Sequence, residues 1–339
     1  MILIAPDKFK GSLSAREAAE IIAGAFRSRG LEDLLLCPMA DGGEGTPRLL
    51  GTPPDGVPVI LSHDHAGPQS FPDVPFADRS SFALGVAVRK AHRKGRKIYI
   101  GLGGTAVCDG GAGFLQALGV RFRDREDKPI AIPVTTRMLP CLGRAEGLEE
   151  LRAKGYAADL EALYDVEASL LPGDEGLSAI DFVGQKGAGE EDIPLLLSGL
   201  ANLRGVLGAD TESPCDGAAG GIGFAICSAV GAQARAGARA VLDSYSIDWS
   251  AIDMVVSGEG RIDSQSAGGK VPCFMEREAR RHGLPCVLIG GYVEESLRSD
   301  LCVGTIERKE EYDTALAAGK LRATAEKVAD LARQAIKKR

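Results

Sequence analysis

Apolar positions in this chain switch between unbroken runs of a few residues and a spacing of three to four, the rhythms of buried strands and amphipathic helices. Ile2-Leu3-Ile4-Ala5 predicts a strand. Ala18, Ile21, Ile22, Ala25 and Phe26 predict a helix from about Ser14 to Arg29, and Ser14 with Glu17 is spaced as a capping box. A second strand over 34–37 runs into the loop Met39-Ala40-Asp41-Gly42-Gly43-Glu44-Gly45-Thr46. The stretch 47–78, rich in Pro, Gly and His, reads as an irregular connector with one strand-like run, Val57 to Leu61. A helix over 80–94, a strand over 97–100, the loop Gly101-Leu102-Gly103-Gly104-Thr105 and a helix over 111–118 follow.

Residues 119–187 alternate short apolar runs with turns, which predicts hairpins and a mixed sheet. A helix over 190–207 precedes the glycine loop 217–223, which enters a helix continuing to Val230. From Ile252 the order is strand (253–257), loop (258–270), helix (271–282) and strand (286–289), and the last helix, amphipathic and alanine-rich, covers 315–337. Strands alternating with helices predict an α/β fold: a doubly wound parallel sheet, with a second α/β domain that holds the mixed sheet inserted into it. We draw the first domain over 1–60 and 250–339 and the insert over 61–249. Sheets of this kind bind ligands beyond the carboxyl ends of their strands, and the glycine-rich loops fall at that edge.

A length of 339 residues exceeds what one core usually supports, and 45% hydrophobic with 26% charged residues is the make-up of a soluble globular protein. The balance of 40 basic against 47 acidic residues gives −7, and no stretch concentrates Lys and Arg as a nucleic-acid footprint requires. Arg89 to Lys97 reads as a solvated helix end and Lys337-Lys338-Arg339 as a frayed tail. The N-terminal apolar run is too short for a signal-peptide core, and no segment reaches the length of a membrane span. The eight cysteines (Cys37, Cys108, Cys141, Cys215, Cys227, Cys273, Cys286, Cys302) form no C-x-x-C pair, as expected of reduced thiols in a cytoplasm. His63-Asp64-His65 reads as an exposed polar loop, and His92 and His282 as surface residues near helix C-termini.

Candidate chemistry gathers on four loops that combine glycines with acids or lysines. Lys8, Lys10 and Ser12 precede a helix N-terminus, a ready anion site. Asp41 and Glu44 stand among Gly42, Gly43 and Gly45; Asp109 follows Gly101, Gly103 and Gly104. The fourth loop carries Glu259, Arg261, Asp263 and Lys270, charges that are costly to hold together unless something pairs with them. A phosphoryl transferase must hold nucleotide phosphates, place Mg²⁺ with carboxylates and aim an acceptor hydroxyl, and this inventory supplies all three. Val271 after Gly269-Lys270 excludes a Walker loop, and Ala106 breaks a dinucleotide fingerprint.

Taken together, APDKFKGSLSA (5–15), PMADGGEGT (38–46), GLGGTAVCDGGAG (101–113), GQKGA (184–188), GAAGG (217–221) and SGEGRIDSQSAGGKVP (257–272) resemble the bacterial glycerate kinases of the class that makes 2-phosphoglycerate. The resemblance implies a flavodoxin- or Rossmann-like domain with an inserted second α/β domain, ATP and Mg²⁺ as cofactors, and D-glycerate as the substrate. Going further than the resemblance, we take Asp41, Asp109, Lys8 and Lys270 as catalytic candidates and Glu259 and Asp263 as metal candidates. Lys10, Ser12, Gly42, Gly43, Gly101, Gly103, Gly104, Gly220, Gly221 and Arg261 are the corresponding candidates for substrate and phosphate binding. The expected partners are small molecules, with neither nucleic acid nor membrane, and a homodimer is left open. Val107-Cys108, the run Glu167-Ala168-Ser169 and a short 47–80 span depart from the family pattern. They leave open a relative with altered hydroxy-acid specificity, or a catalytically silent nucleotide-binding protein.

Overall fold

The structure is a computed structural model, and it describes residues 1–50, 57–209, 212–263, 270–299, 301–307 and 313–336. The first elements along the chain are β1 (Ile2–Ile4), α1 (Ala15–Ser28), β2 (Leu34–Leu36), α2 (Thr46–Leu50), β3 (Val59–Leu61), α3 (Ser62–Ala66) and α4 (Phe82–Ala91). Next come β4 (Ile98–Leu102), α5 (Ala112–Leu118), β5 (Arg121–Asp124), β6 (Leu142–Glu146), α6 (Leu148–Ala153), α7 (Tyr156–Asp159), β7 (Leu160–Tyr164) and α8 (Ile193–Leu207). The last are α9 (Ala218–Phe224), β8 (Gln233–Ala236), α10 (Gly237–Asp243), β9 (Met254–Ile262), α11 (Val271–Arg281), β10 (Cys286–Val293), β11 (Cys302–Ile306) and α12 (Ala317–Ile336). They fall into two compact units, Met1–Asp41 with Ala238–Arg339, and Gly42–Gly237.

The discontinuous unit holds a five-stranded sheet in the order β11-β10-β9-β1-β2, parallel throughout. Numbered within the unit alone, that order is 2-1-3-4-5, the flavodoxin-like winding. Ile2, Leu3 and Ile4 are all buried, as a central parallel strand covered on both faces requires. α1 starts where expected: the Ser14 hydroxyl accepts from the Glu17 amide while the Glu17 carboxylate accepts from the Ser14 amide at 2.8 Å. Its buried stripe, Ala18, Ala19, Ile22, Ala23, Ala25 and Phe26, packs in one cluster with Leu321, Ala325, Val328, Ala329 and Ala332 of α12. Arg29, just past α1, ties the two helices with ion pairs to Glu326 at 3.2 Å and Asp330 at 3.1 Å.

Residues 42–237 hold a four-stranded sheet, β3-β4-β7-β8, also parallel, with the pair β5-β6 antiparallel and separate from it. The mixed sheet expected here is therefore two sheets. One of the short apolar runs of this stretch, 179–183, forms a 3₁₀ turn at Ala179–Phe182 rather than a strand. Leu84, Ile100, Leu102, Phe114 and Leu115 lie at the centre of this unit's core.

Two further expectations are corrected. β9 does not stop at Ser257: its pairing with β10 continues as Gly258↔Ile289, Glu259↔Gly290 and Arg261↔Tyr292. Glycine ordinarily weakens a strand, yet here a Cβ on Gly258 would strike the Ile289 carbonyl and one on Gly291 would strike the Gly260 carbonyl, so bare glycines let the two strands close. His92 is not a surface residue. Its Nε2 lies 2.9 Å from the Asp159 carboxylate and its ring stacks on Tyr156 at 4.0 Å, with the side chain 10% exposed.

Candidate functional site

The order 2-1-3-4-5 has one topological switch point, between β1 and β9, because the chain leaves β1 toward β2 on one side and returns on the other. In open parallel sheets the crevice at the carboxyl ends of the strands flanking that point is where ligands bind. The strands β3, β4, β7 and β8 progress in one direction and offer no such point among themselves.

What stands at that crevice is acidic. The chain passes from β1 through Ala5-Pro6 to Asp7, and its backbone is locked there: Ala5 N donates to Val256 O, Asp7 N to Gly258 O and Met39 N to Pro6 O, each at 2.8 Å. The Ser257 hydroxyl donates to Ala5 O at 2.7 Å. The Asp7 side chain is 4% exposed and accepts from the Lys8 amide at 2.7 Å. Burial, then the charge of Asp41 past β2 and of Glu259 on β9, push its carboxyl up to about 8, against the pull of Lys8. Two negative groups acting on Asp7 at a switch point are an arrangement that a cation would relieve. Among the described residues no three His, Cys, Asp or Glu side chains are close enough to form a metal cage. That donor set fits Mg²⁺, which takes one or two carboxylates and fills its remaining positions with water and phosphate oxygens.

Lys8 and Lys10 project from a knotted turn in which Phe9 N donates to Leu13 O at 2.8 Å and Leu13 N to Phe9 O at 3.0 Å, with the Ser12 hydroxyl donating to Phe9 O at 3.0 Å. Lys8 is half-buried and Lys10 exposed. β9 approaches this turn closely, since a Cβ on Gly260 would lie 3.0 Å from Lys10 N. Arg261 Nε pairs with Asp263 Oδ2 at 2.7 Å, so two residues expected in separate roles neutralise each other. Lys270 occupies the N-cap position of α11, and positions 264–269 of the fourth loop lie outside the described residues, as do the tail 337–339 and positions 51–56 of the connector.

In the unit 42–237 the candidates divide differently. Gly42 and Gly101 serve backbone approach, because a Cβ on Gly101 would run into Gly42 O. Gly103 and Gly104 follow β4, beside the Asp165 carboxylate and His63 respectively. Gly220 and Gly221 take left-handed backbone at φ 73° and 88° and press on Val107, Cys108 and Gly110 where no side chain would fit. Asp109 is fully buried, and its carboxylate accepts from Ser81 N and Oγ (both 2.8 Å), Gly111 N (3.1 Å) and Gly113 N (3.2 Å). Burial pushes its carboxyl up while those donors pull it down. That set of bonds pins Ser81 and the start of α5, a structural task.

Sequence reasoning passed over two residues. Asp7 is one, and its signal is that it is an acid directly past the switch-point strand. Lys186, whose ammonium donates to the Thr105 hydroxyl at 3.2 Å and to Val107 O at 2.9 Å, holds the third loop, and burial lowers its pKa.

The model of the glycerate kinase family matches residues 2–70 and 64–334. This chain belongs to the glycerate kinase family. A glycerate kinase of Haemophilus influenzae is 32% identical, the match covering 86% of each chain, and a glycerate 2-kinase of Escherichia coli K12 is 31% identical over 87% of this chain and 86% of that one. The crystal structure of a protein assigned as glycerate kinase 2 in Salmonella typhimurium LT2 superposes with a TM-score of 0.76 at 30% identity, covering 99% of both chains. As a glycerate kinase family member the chain is a phosphotransferase, and its α/β fold with parallel sheets is that of its solved relative. Among the described residues no helix is long and apolar enough to cross a membrane.

Proposed function

We propose that this chain phosphorylates D-glycerate to 2-phosphoglycerate with ATP and Mg²⁺ in the cytoplasm. The observation that carries the reading is the mutual charge of Asp7, Asp41 and Glu259 at the β1/β9 switch point, in a chain whose family is the glycerate kinases. Asp7 and Glu259 would hold Mg²⁺ there, and the ion would supply charge to offset that developing on the transferring group.

Asp7 and Glu259 are the carboxylates we assign to the metal. Asp263, the other sequence candidate, serves Arg261 instead. Asp41 accepts the proton of the substrate hydroxyl, a modest task in a loose transition state. Lys8, Lys10 and Lys270 neutralise phosphate charge, and Arg261, oriented by Asp263, receives the substrate carboxylate. Within the unit 42–237, Gly103 and Gly104 are candidates for backbone contact with phosphate, Lys186 holds their loop in shape, and the buried Gly220–Gly221 turn packs on Val107, Cys108 and Gly110. Asp109 supports that loop from within the core rather than acting on substrate.

ATP consumption across small hydroxy acids, with the product identified by NMR, tests the reading. Turnover with D-glycerate, phosphate on the 2-hydroxyl and a loss of at least about 100-fold in kcat for Asp41→Ala are expected. Thermal stabilisation by ATP without turnover on any hydroxy acid would instead indicate a nucleotide-binding protein.

A further inference from the structure

Two of the eight cysteines, distant from the acids of the crevice in sequence, meet inside the unit 42–237. Cys215 precedes α9, and Cys227 lies in the π-helical turn Ala225–Ala229 that continues it. Their sulfurs are 3.7 Å apart and both side chains are buried, at 0% and 7% exposure. Between them runs the left-handed turn Ala219-Gly220-Gly221 that seats on Val107, Cys108 and Gly110.

We propose that Cys215 and Cys227 are a reversible dithiol/disulfide pair, formed by a small peroxide, that staples this glycine turn. A disulfide needs sulfurs about 2.05 Å apart, so they must close by about 1.7 Å. Cys227 can contribute to that movement because a π-helical turn holds one residue more than its neighbours and repacks readily. Buried thiols are normally inert for want of access. Here a cavity of about 40 Å³, lined by Ser169, Leu170, Arg204, Ser213, Asp216 and Phe224, comes within one residue of the pair: the hydroxyl of Ser213, one of its walls, sits 3.5 Å from the Cys215 sulfur. That volume admits a molecule little larger than water.

Cys215 is the attacking sulfur. Its sulfur lies 3.7 Å from that of Cys227 and 3.5 Å from the Ser213 hydroxyl beside the cavity, and the contact with Cys227 is the main influence that draws its pKa down. Its thiolate attacks one peroxide oxygen, an S–O bond forms, the O–O bond breaks, and hydroxide leaves and takes up the thiol proton as water. The Cys227 sulfur then attacks the sulfenic acid; an S–S bond forms, the S–O bond breaks, and a second water leaves with the Cys227 proton. Two thiols lose two electrons and two protons, and one peroxide becomes two waters.

The folded full-length protein is exposed to hydrogen peroxide, quenched with acid, unfolded, alkylated and digested. The expected result is a loss of about 2 Da in one linked peptide joining Cys215 to Cys227, reversed by dithiothreitol. Cys227→Ser should abolish the linked peptide. Exposed Cys141 reports that oxidant was effective. The proposal is overturned if Cys141 is oxidised while Cys215 and Cys227 both remain alkylatable, a readout on the unaltered protein that needs no variant to fold.

Discussion

Asp7→Asn separates the electrostatics of the crevice from the rest of the molecule. Asparagine has the same shape, keeps an oxygen toward the Lys8 amide, and carries no charge at any pH. In the wild type the carboxyl is pushed from 3.8 to about 8, so the folded protein holds this proton over a range where the unfolded chain has lost it. A raised carboxyl pKa contributes stability that is complete below about pH 4 and disappears as pH climbs through about 8. Each pH unit inside that window removes about 1.4 kcal/mol. Between pH 5 and 8 the wild type should therefore lose up to about 4 kcal/mol through this one group. Other titrating groups are common to both proteins and cancel in the comparison. Urea unfolding with chelator present, at pH 5, 6.5 and 8, is the assay. Asp7→Asn should match the wild type at pH 5 and exceed it by a few kcal/mol at pH 8, while losing kinase activity. Adding Mg²⁺ at pH 8 should narrow the gap by stabilising only the wild type. Parallel pH slopes for the two proteins would refute the reasoning.

Asp109→Ala should cost about 3–5 kcal/mol by urea unfolding, since it strands the amides of Ser81, Gly111 and Gly113 and the Ser81 hydroxyl in the core. Phe26→Ala, at a fully buried position between α1 and α12, should cost about 3–5 kcal/mol and leave kcat at low temperature within about twofold. Arg261→Ala should raise KM for the hydroxy acid by about tenfold or more with little change in KM for ATP, and steady-state kinetics against each substrate checks it.

What could be read from the sequence depended on whether the signal was local. Ser14 and Glu17 announce the α1 cap because both partners lie within one turn, and Ile2-Leu3-Ile4 announces a central strand because burial on both faces demands an apolar run. β8, Gln233-Ala-Arg-Ala236, has no such run and is a strand only because β7 pairs with it. From Gly258 onward the residues of β9 have the composition of a loop, and only the bare backbone of β10 alongside makes them a strand. The same division runs through the site. Lys8, Lys10 and Asp41 were visible as charges among glycines, whereas Asp7 becomes conspicuous only once Asp41 and Glu259 are brought to it from distant parts of the chain.

Asp7 and Asp109 show why burial alone does not mark a functional acid. Both are almost or fully buried, and in both burial is the largest influence and raises the carboxyl. Asp109 is then met by four donors from Ser81, Gly111 and Gly113, which pull against burial and bind the loop to the core. Asp7 is met by the Lys8 amide and by two more negative groups, a local arrangement that works against the folded state. Such an arrangement persists only where the rest of the fold over-determines it, here through the backbone bonds that fix Ala5, Pro6 and Asp7 to β9 and to the loop after β2. An acid held against its own preference at the point where a parallel sheet reverses is poised for a cation, because ligand binding then removes the repulsion that folding left in place.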